Sequence, residues 1–435
     1  MSPSLLRRFF LLSLAALGNI SLTTAAFAAD SPNLADLRGI DQAGFNQDGS
    51  RVVVRGRDGQ IGIWEVPAGT LVAGDLAPDA HADAYVMSAD GKRLLIGFAD
   101  GKARVFDPST AKALSPLLDV ALNGQLQMPA LFSPDGTSLL VFTQKEALVF
   151  NVAEGKRVTA IPLPAGPNED TPGSAEFTAD GGQCFVMDGA ATVTRYDPKD
   201  WKPIGKPMRH PAAESAYDFE FGISKDGKWL ATSDGAGENG PKGNLQVWDA
   251  AAATPLGKPL VAVNGLSARF IGTNRVVILP TRGEAHVRDL PSMKIAYTLR
   301  KHDDVDGPRA DVSSDRKWVL AWGADRWLDL VDAATGKLAD NYAGPATISK
   351  VILSPDSTGC YIVFDNSAFL AQGHYDNYVV KLDFPELNLT ESLRSLDFIA
   401  HVALSPDGKR LLVVQGGSEQ DRVLVFDAAT LKSLN

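Results

Sequence analysis

Residues 405–427 open on Ser405-Pro406-Asp407-Gly408-Lys409, continue as Arg410-Leu411-Leu412-Val413-Val414, and end on Val425-Phe426-Asp427. Asp-Gly between two apolar runs marks a hairpin turn, because Gly takes positive φ without strain. The flanking runs are too short and too β-branched for helices. Asp427 leads into Ala-Ala-Thr-Leu-Lys, a second turn. The segment therefore reads as part of a unit of three or four short antiparallel strands.

Working outward from that stretch, the same unit recurs along the chain. Its turn stands at Asp48, Asp90, Asp135, Asp180 and Asp226, in degenerate form at Asn274, then at Asp315, Asp356 and Asp407, at intervals of 42, 45, 45, 46, 48, 41, 41 and 51 residues. A second marker keeps step: Ile63-Trp64-Glu65, Val105-Phe106-Asp107, Val149-Phe150-Asn151 and Val247-Trp248-Asp249 are four of its nine copies. A sheet of this size cannot bury both faces alone, so the copies must stack.

A period near 45 with a Trp/Phe/Tyr-Asp ending resembles the WD40 and YVTN-type repeats of β-propellers, on the bacterial, divergent side of that group. The resemblance spans about residues 31–435 and implies an all-β chain of nine four-stranded blades, or eight if the copy around Asn274 is irregular. Only Trp64 and Trp248 occupy the tryptophan position, and the family's Gly-His dipeptide is absent. His210 and His302 stand roughly where its His would be, which leaves the family's Asp-His-Ser-Trp hydrogen-bond network open. Pairing of Asn33–Leu37 with the last copy's outermost strand, at 432–435, would fasten the ring and remove its open edges. No Pro/Ser-rich linker interrupts the phase, so residues 29–435 are expected to form one ring.

Residues 1–28 have the layout of a cleaved secretory signal. Arg7 and Arg8 precede an apolar run from Phe9 to Leu17, and Ala26-Phe27-Ala28 reads as the cleavage site. The run is too short to span a bilayer, and no Cys near the site would take a lipid anchor. A periplasmic or secreted location is expected. The chain carries 42 Lys+Arg against 52 Asp+Glu; removing the signal takes two Arg and leaves a net charge of -12. Such a chain lacks the basic surface that nucleic-acid binding needs.

Cys184 and Cys360 fall on copies four and eight, across the ring, where a disulfide could not reach. Two free, buried thiols are expected. None of the six His has metal-ligand spacing to another His or to Cys. His302-Asp303-Asp304-Val305-Asp306-Gly307 has the look of a calcium loop without its remaining ligands, so an acidic solvated loop is the better reading. No metal or cofactor is expected.

In a propeller the Asp-Gly turns share one face. Length variation concentrates on the other, where recognition tends to sit. Copy five carries an insertion over 234–244 and copy eight one over 365–378; blade-entry connections are long at 164–173, 208–217 and 301–309. The candidate partner-binding residues are Arg209, His210 and Tyr217; Glu238, Asn239 and Lys242; Asp303, Asp304 and Arg309; and His374, Tyr375 and Tyr378. These insertions read either as recognition loops or as tolerated decoration. Inward positions at the start of the first strands are mixed: Asp41 and His401 are polar, whereas Val86, Ala130 and Val351 are small or apolar. WD40-like propellers are mostly platforms, so the resemblance implies a non-catalytic, monomeric scaffold for a protein or peptide partner with a neutral or basic surface. The alternative is a propeller enzyme, a lactonase-like hydrolase or a quinone-dependent dehydrogenase. Residues 332–337 resemble turns of quinoprotein repeats, but the Trp ending each such repeat and the adjacent Cys pair are missing. No G-x-S-x-G elbow is present either.

Overall fold

The Asp-Gly turns owe their shape to one set of hydrogen bonds. In the second copy the Ser88 hydroxyl donates to Asp90 at 2.6 Å and accepts the Arg93 N–H at 2.9 Å, while Asp90 accepts the Lys92 N–H at 3.1 Å. The hydroxyl-to-aspartate bond recurs at Ser133–Asp135, Thr178–Asp180, Ser224–Asp226, Ser313–Asp315 and Ser405–Asp407, each at 2.6 or 2.7 Å. Gly91 sits at φ +66° to complete the turn. Arg316 and Ser357 hold the same left-handed place in copies seven and eight, at +64° and +62°. Copy six has no aspartate here, yet Gly272 at +63° lets a shorter turn pair Ile271 directly with Arg275.

These turns join nine antiparallel sheets, each built from contiguous chain, in a computed structural model that describes residues 33, 34, 37, 39–74, 76, 82–120, 129–165, 173–211, 219–234, 243–262, 265–280, 283–301, 308–323, 325–365, 377–395, 397–416 and 421–435. Blade one runs Ile40–Phe45, Arg51–Gly56, Ile61–Glu65 and Leu71–Ala73 in spatial order. The first strands of blades two to nine are Ala82–Met87, Ala130–Phe132, Ser174–Phe177, Phe219–Ile223, Leu266–Ile271, Arg309–Val312, Thr347–Leu353 and Phe398–Leu404. The irregular sixth copy is a full blade, so the ring has nine.

The ring is visible in its core. Nine apolar clusters each combine residues from two neighbouring blades, and together they run from blade one to blade nine and back. This explains why the second strands are unbroken apolar runs. Val53 packs toward blade two while Val52 and Val54 pack toward blade nine, so both faces are buried. Cys184 lies between blades three and four and Cys360 between seven and eight. Both are free and buried, and desolvation pushes both thiols up.

The turns also form a belt. The Gln47 N–H donates to the Gly91 carbonyl at 3.0 Å, Ala179 to Lys225 at 3.1 Å, and Asp315 to the Ser357 hydroxyl at 2.9 Å. Of the stretch Asn33–Leu37 expected to pair with the last copy, residues 35 and 36 lie outside the described residues. The Leu34 N–H donates to the Gly69 carbonyl of blade one at 2.9 Å, and its side chain packs into the cluster between blades one and nine. Ser433 bridges Phe426 in the last strand of blade nine. Buried Asp421 of blade nine takes the Ile40 N–H at 3.0 Å and the Arg57 guanidinium at 2.9 Å. Packing and this carboxylate fasten the seam.

Candidate functional site

Two regions can carry function: the face opposite the Asp-Gly turns, and the channel enclosed by the first strands. On that face the insertion of blade five leaves from Asp234 and returns at Asn244. The Asn244 backbone N–H and side-chain amide both donate to the Asp234 carboxylate, the latter at 2.9 Å. Behind this clamp lies a buried chain of hydrogen bonds. Trp248 Nε1–H donates to Thr232 Oγ1 at 3.1 Å, and Thr232 Oγ1 lies 2.8 Å from His210 Nδ1. His210 Nε2 faces Asp234 at 3.7 Å. An indole N–H can only donate, so the threonine hydroxyl donates to Nδ1, and Nε2 carries the ring hydrogen and faces the carboxylate beyond hydrogen-bond distance. Burial works to raise the Asp234 carboxyl, but His210 and the hydrogen bonds from Asn244 outweigh it and hold it low.

This is the Asp-His-Ser/Thr-Trp network that the sequence left open, present in blade five. At the same backbone position, blades three and six carry Leu163 and Leu299, bonded through N–H to Lys145 and Ala285 as His210 is to Ala191. The place taken by His210 at the end of blade four is therefore held at the end of blade six by Leu299; His302 lies outside the described residues. Blade eight repeats the flanking pair: Asp365 and Asn377 bound its insertion, and buried Asn377 donates to the Asp397 carbonyl at 3.1 Å.

Of the candidate partner-binding residues, His210 is 2% exposed and committed to this network, so it braces the face rather than meeting a partner. Arg209 is exposed beside it at the end of the fourth strand of blade four. Arg309 starts the first strand of blade seven and Tyr378 is half-buried in the third strand of blade eight. Tyr217, Glu238, Asn239, Lys242, Asp303, Asp304, His374 and Tyr375 lie outside the described residues.

First strands of neighbouring blades touch one another, which places them at the axis. Counting back from the turn Ser/Thr, odd positions such as Phe45, Ala310 and Val402 are buried between blades, and even positions open inward. Two levels of charge result. At the second position stand Glu176, Arg269 and Asp311 of blades four, six and seven, with Gly222 of blade five between the first two. A Cβ built on Gly222 would meet nothing within 4 Å, so Arg269 has open space toward Glu176. Desolvation raises both Glu176 and Asp311 despite Arg269 and one backbone N–H each. At the fourth position stand Glu220, Arg309, Lys350 and His401 of blades five, seven, eight and nine.

Reading one inward residue per blade missed most of these groups. Val351, an odd position from its turn, is buried between blades, and its neighbour Lys350, an even one, faces the axis; the pairing of this strand shifts register just ahead of them, between Ile348 and Lys350. Similar irregularities occur at Ile40/Gln42, Ala82/Ala84 and Ile399/His401. A β-bulge re-aims the side chains beside it, and no periodicity in the sequence marks where it falls. Among the described residues, no group of three or more His, Cys, Asp or Glu is disposed to hold a metal ion.

No protein-family model matches the chain. No curated protein matches it by sequence either. Solved structures do match. A structure described as the eukaryotic initiation factor aligns at a TM-score of 0.65 and 14% identity, over 90% of this chain and 96% of its own. The C-terminal WD40 domain of Sif2 aligns at 0.50 and 14%, over 90% and 97%. Dihydro-heme d1 dehydrogenase NirN in complex with DHE aligns at 0.53 and 15%, over 88% and 72%. At such identities the likeness is one of fold: the chain is a nine-bladed, WD40-like β-propeller.

Proposed function

We propose that this chain is an exported, non-catalytic platform that holds a protein or peptide partner on its loop-bearing face. The observation carrying this reading is the clamp under the blade-five insertion. A loop that is mere decoration needs no buried carboxylate at its base, and burying one costs desolvation free energy unless its partners are fixed. Here Asp234 is tied to His210, Thr232 and Trp248, so the insertion starts from a rigid point. Loops on rigid scaffolds are where recognition resides. A net charge of -12 after cleavage at Ala28 favours a partner surface that is neutral or basic.

A second reading, a propeller enzyme, draws on the channel. Glu176 and Asp311, both raised by desolvation beside Arg269, are carboxyls of the kind that general acid–base chemistry uses.

Site-specific photo-cross-linking in the native envelope separates these readings. Cross-linkers within 235–242 and 366–376 are expected to give one reproducible adduct, lost when both insertions are trimmed to two-residue turns. A cross-linker at Lys225 on the opposite face is expected to give none. Adducts of equal yield from both faces would refute the platform reading. N-terminal sequencing of the exported protein is expected to start at Ala29.

A further inference from the structure

A cation that lines a channel without a carboxylate partner is available to a bound anion. Lys350 is such a group, open to the channel. Its ammonium donates to the Val402 carbonyl of blade nine at 2.7 Å, and among the described residues no carboxylate lies within ion-pair distance. Arg309 reaches in the same sense from blade seven to blade eight, Nη1 donating to the Ser349 carbonyl at 3.2 Å. Each cation thus leans onto the next inner strand, Arg309 beside Lys350 and Lys350 beside His401. Lys350 and His401 stand at the same inward position before their turns as Arg309, and each of their strands shifts register just ahead of them.

We propose that Arg309, Lys350 and His401 form an oxyanion site in the channel, on the side of the loop-bearing face, which takes the phosphate or carboxylate group of a small molecule. The level lies four residues before the turns, so the ligand enters from the loop face. Lys350 supplies the N–H groups of its ammonium that Val402 does not take, His401 a ring nitrogen, and Arg309, which keeps its contacts to the protein, adds positive charge beside them. Three carboxylates face the site among the described residues. Asp41 of blade one is ion-paired with Arg55, Glu220 stands on blade five, and Asp311 lies one level nearer the turns on blade seven. Lys350 is held down by desolvation, and His401 is pushed to about 4 by desolvation and by Lys350. A bound anion reverses both penalties. This proposal is independent of the platform reading.

Calorimetric titration of the protein at low ionic strength, with inorganic phosphate and separately with acetate, tests it. At least one anion is expected to bind saturably in the millimolar range or tighter, and the tighter of the two identifies the ligand group. Lys350→Met is expected to weaken binding about ten-fold or more, and Lys350→Arg to retain most of it. In anion-free buffer Lys350→Met is expected to melt no lower than the parent protein, because it removes an uncompensated charge. The anion is expected to raise the melting temperature of the parent and not of this variant. Absence of saturation with both anions, or equal affinity in Lys350→Met, overturns the site. Should Lys350→Met fold poorly, His401→Gln serves in its place, with the same two outcomes. Trimming the 235–242 and 366–376 loops is expected to leave anion affinity intact, so the two proposals fail separately.

Discussion

Asp90, on the turn-bearing face, and Asp234, at the base of the blade-five insertion, make the same kind of bond for different ends. Asp90 accepts from Ser88 and Lys92, both within two residues, and closes its own turn. Asp234 accepts from Asn244 across an insertion and faces a histidine supplied by the end of blade four. One bond set is local and repeated around the ring; the other spans two blades and, among the described residues, occurs in blade five alone. Repetition makes each turn individually dispensable, whereas the single network has no substitute.

The sharpest way to break that contrast is His210→Leu. Leu163 and Leu299 fill the equivalent place in other blades, so the shape is tolerated. The Asp234 carboxylate nonetheless loses the imidazole that faces it, and Thr232 an acceptor. A loss of about 2–3 kcal/mol is expected in denaturant unfolding, with strong non-additivity in a cycle with Thr232→Val. A loss no larger than that of Ser88→Ala would erase the distinction.

Next in size comes a pair within the belt itself. Gly181→Ala meets only left-handed strain, its nearest neighbour being Pro134 at 3.6 Å, and is expected to cost about 1–2 kcal/mol. Gly91→Ala carries the same strain and also drives its Cβ to 2.4 Å from the Gln47 backbone nitrogen. Melting temperatures should place it well below Gly181→Ala. Equal losses would mean that the belt transmits nothing between blades.

Smallest per residue is the response to acid. Hydrogen bonds from Ser50, Ser133 and Thr178 hold Asp48, Asp135 and Asp180 below the usual carboxylate range; at Asp90 and Asp407 the turn bonds outweigh desolvation to the same end. Carboxyls lowered by folding stabilise the fold above their unfolded pKa near 4, and that contribution fades as pH falls through the folded values. Glu176 and Asp311 act in the opposite sense. Raised by folding, they favour the fold below about pH 4 and lose that effect as pH rises through their folded values. Scanning calorimetry is expected to give a melting temperature that drops below about pH 4. Glu176→Gln should melt higher than the parent at pH 7, and a lower value would contradict this sign.

How much of this was legible in the sequence follows the same local-versus-distant division. The nine turns could be read because each is settled by residues within five positions of its aspartate. Blade six was recognisable from phase although its aspartate is gone, since Gly272 keeps the turn. The His210 network was not legible: it joins residues 38 apart from two blades, and the dipeptide that signals it elsewhere is missing. Lys350 was missed because the inward positions were not counted from the turn, which turned attention to Val351. The seam's buried carboxylate, Asp421, bears no mark in the sequence that ties it to Ile40 and Arg57, 381 and 364 positions away.

Each of the nine sheets is built from a contiguous stretch of chain, the ninth from three strands. Duplication or loss of one unit of about 45 codons would leave every remaining sheet whole and every turn with a neighbour to rest on. A ring closed by a shared blade would have to preserve two distant half-blades through such an event. The unusual size of this ring is thus a state that copying errors could reach one blade at a time, with each intermediate able to close.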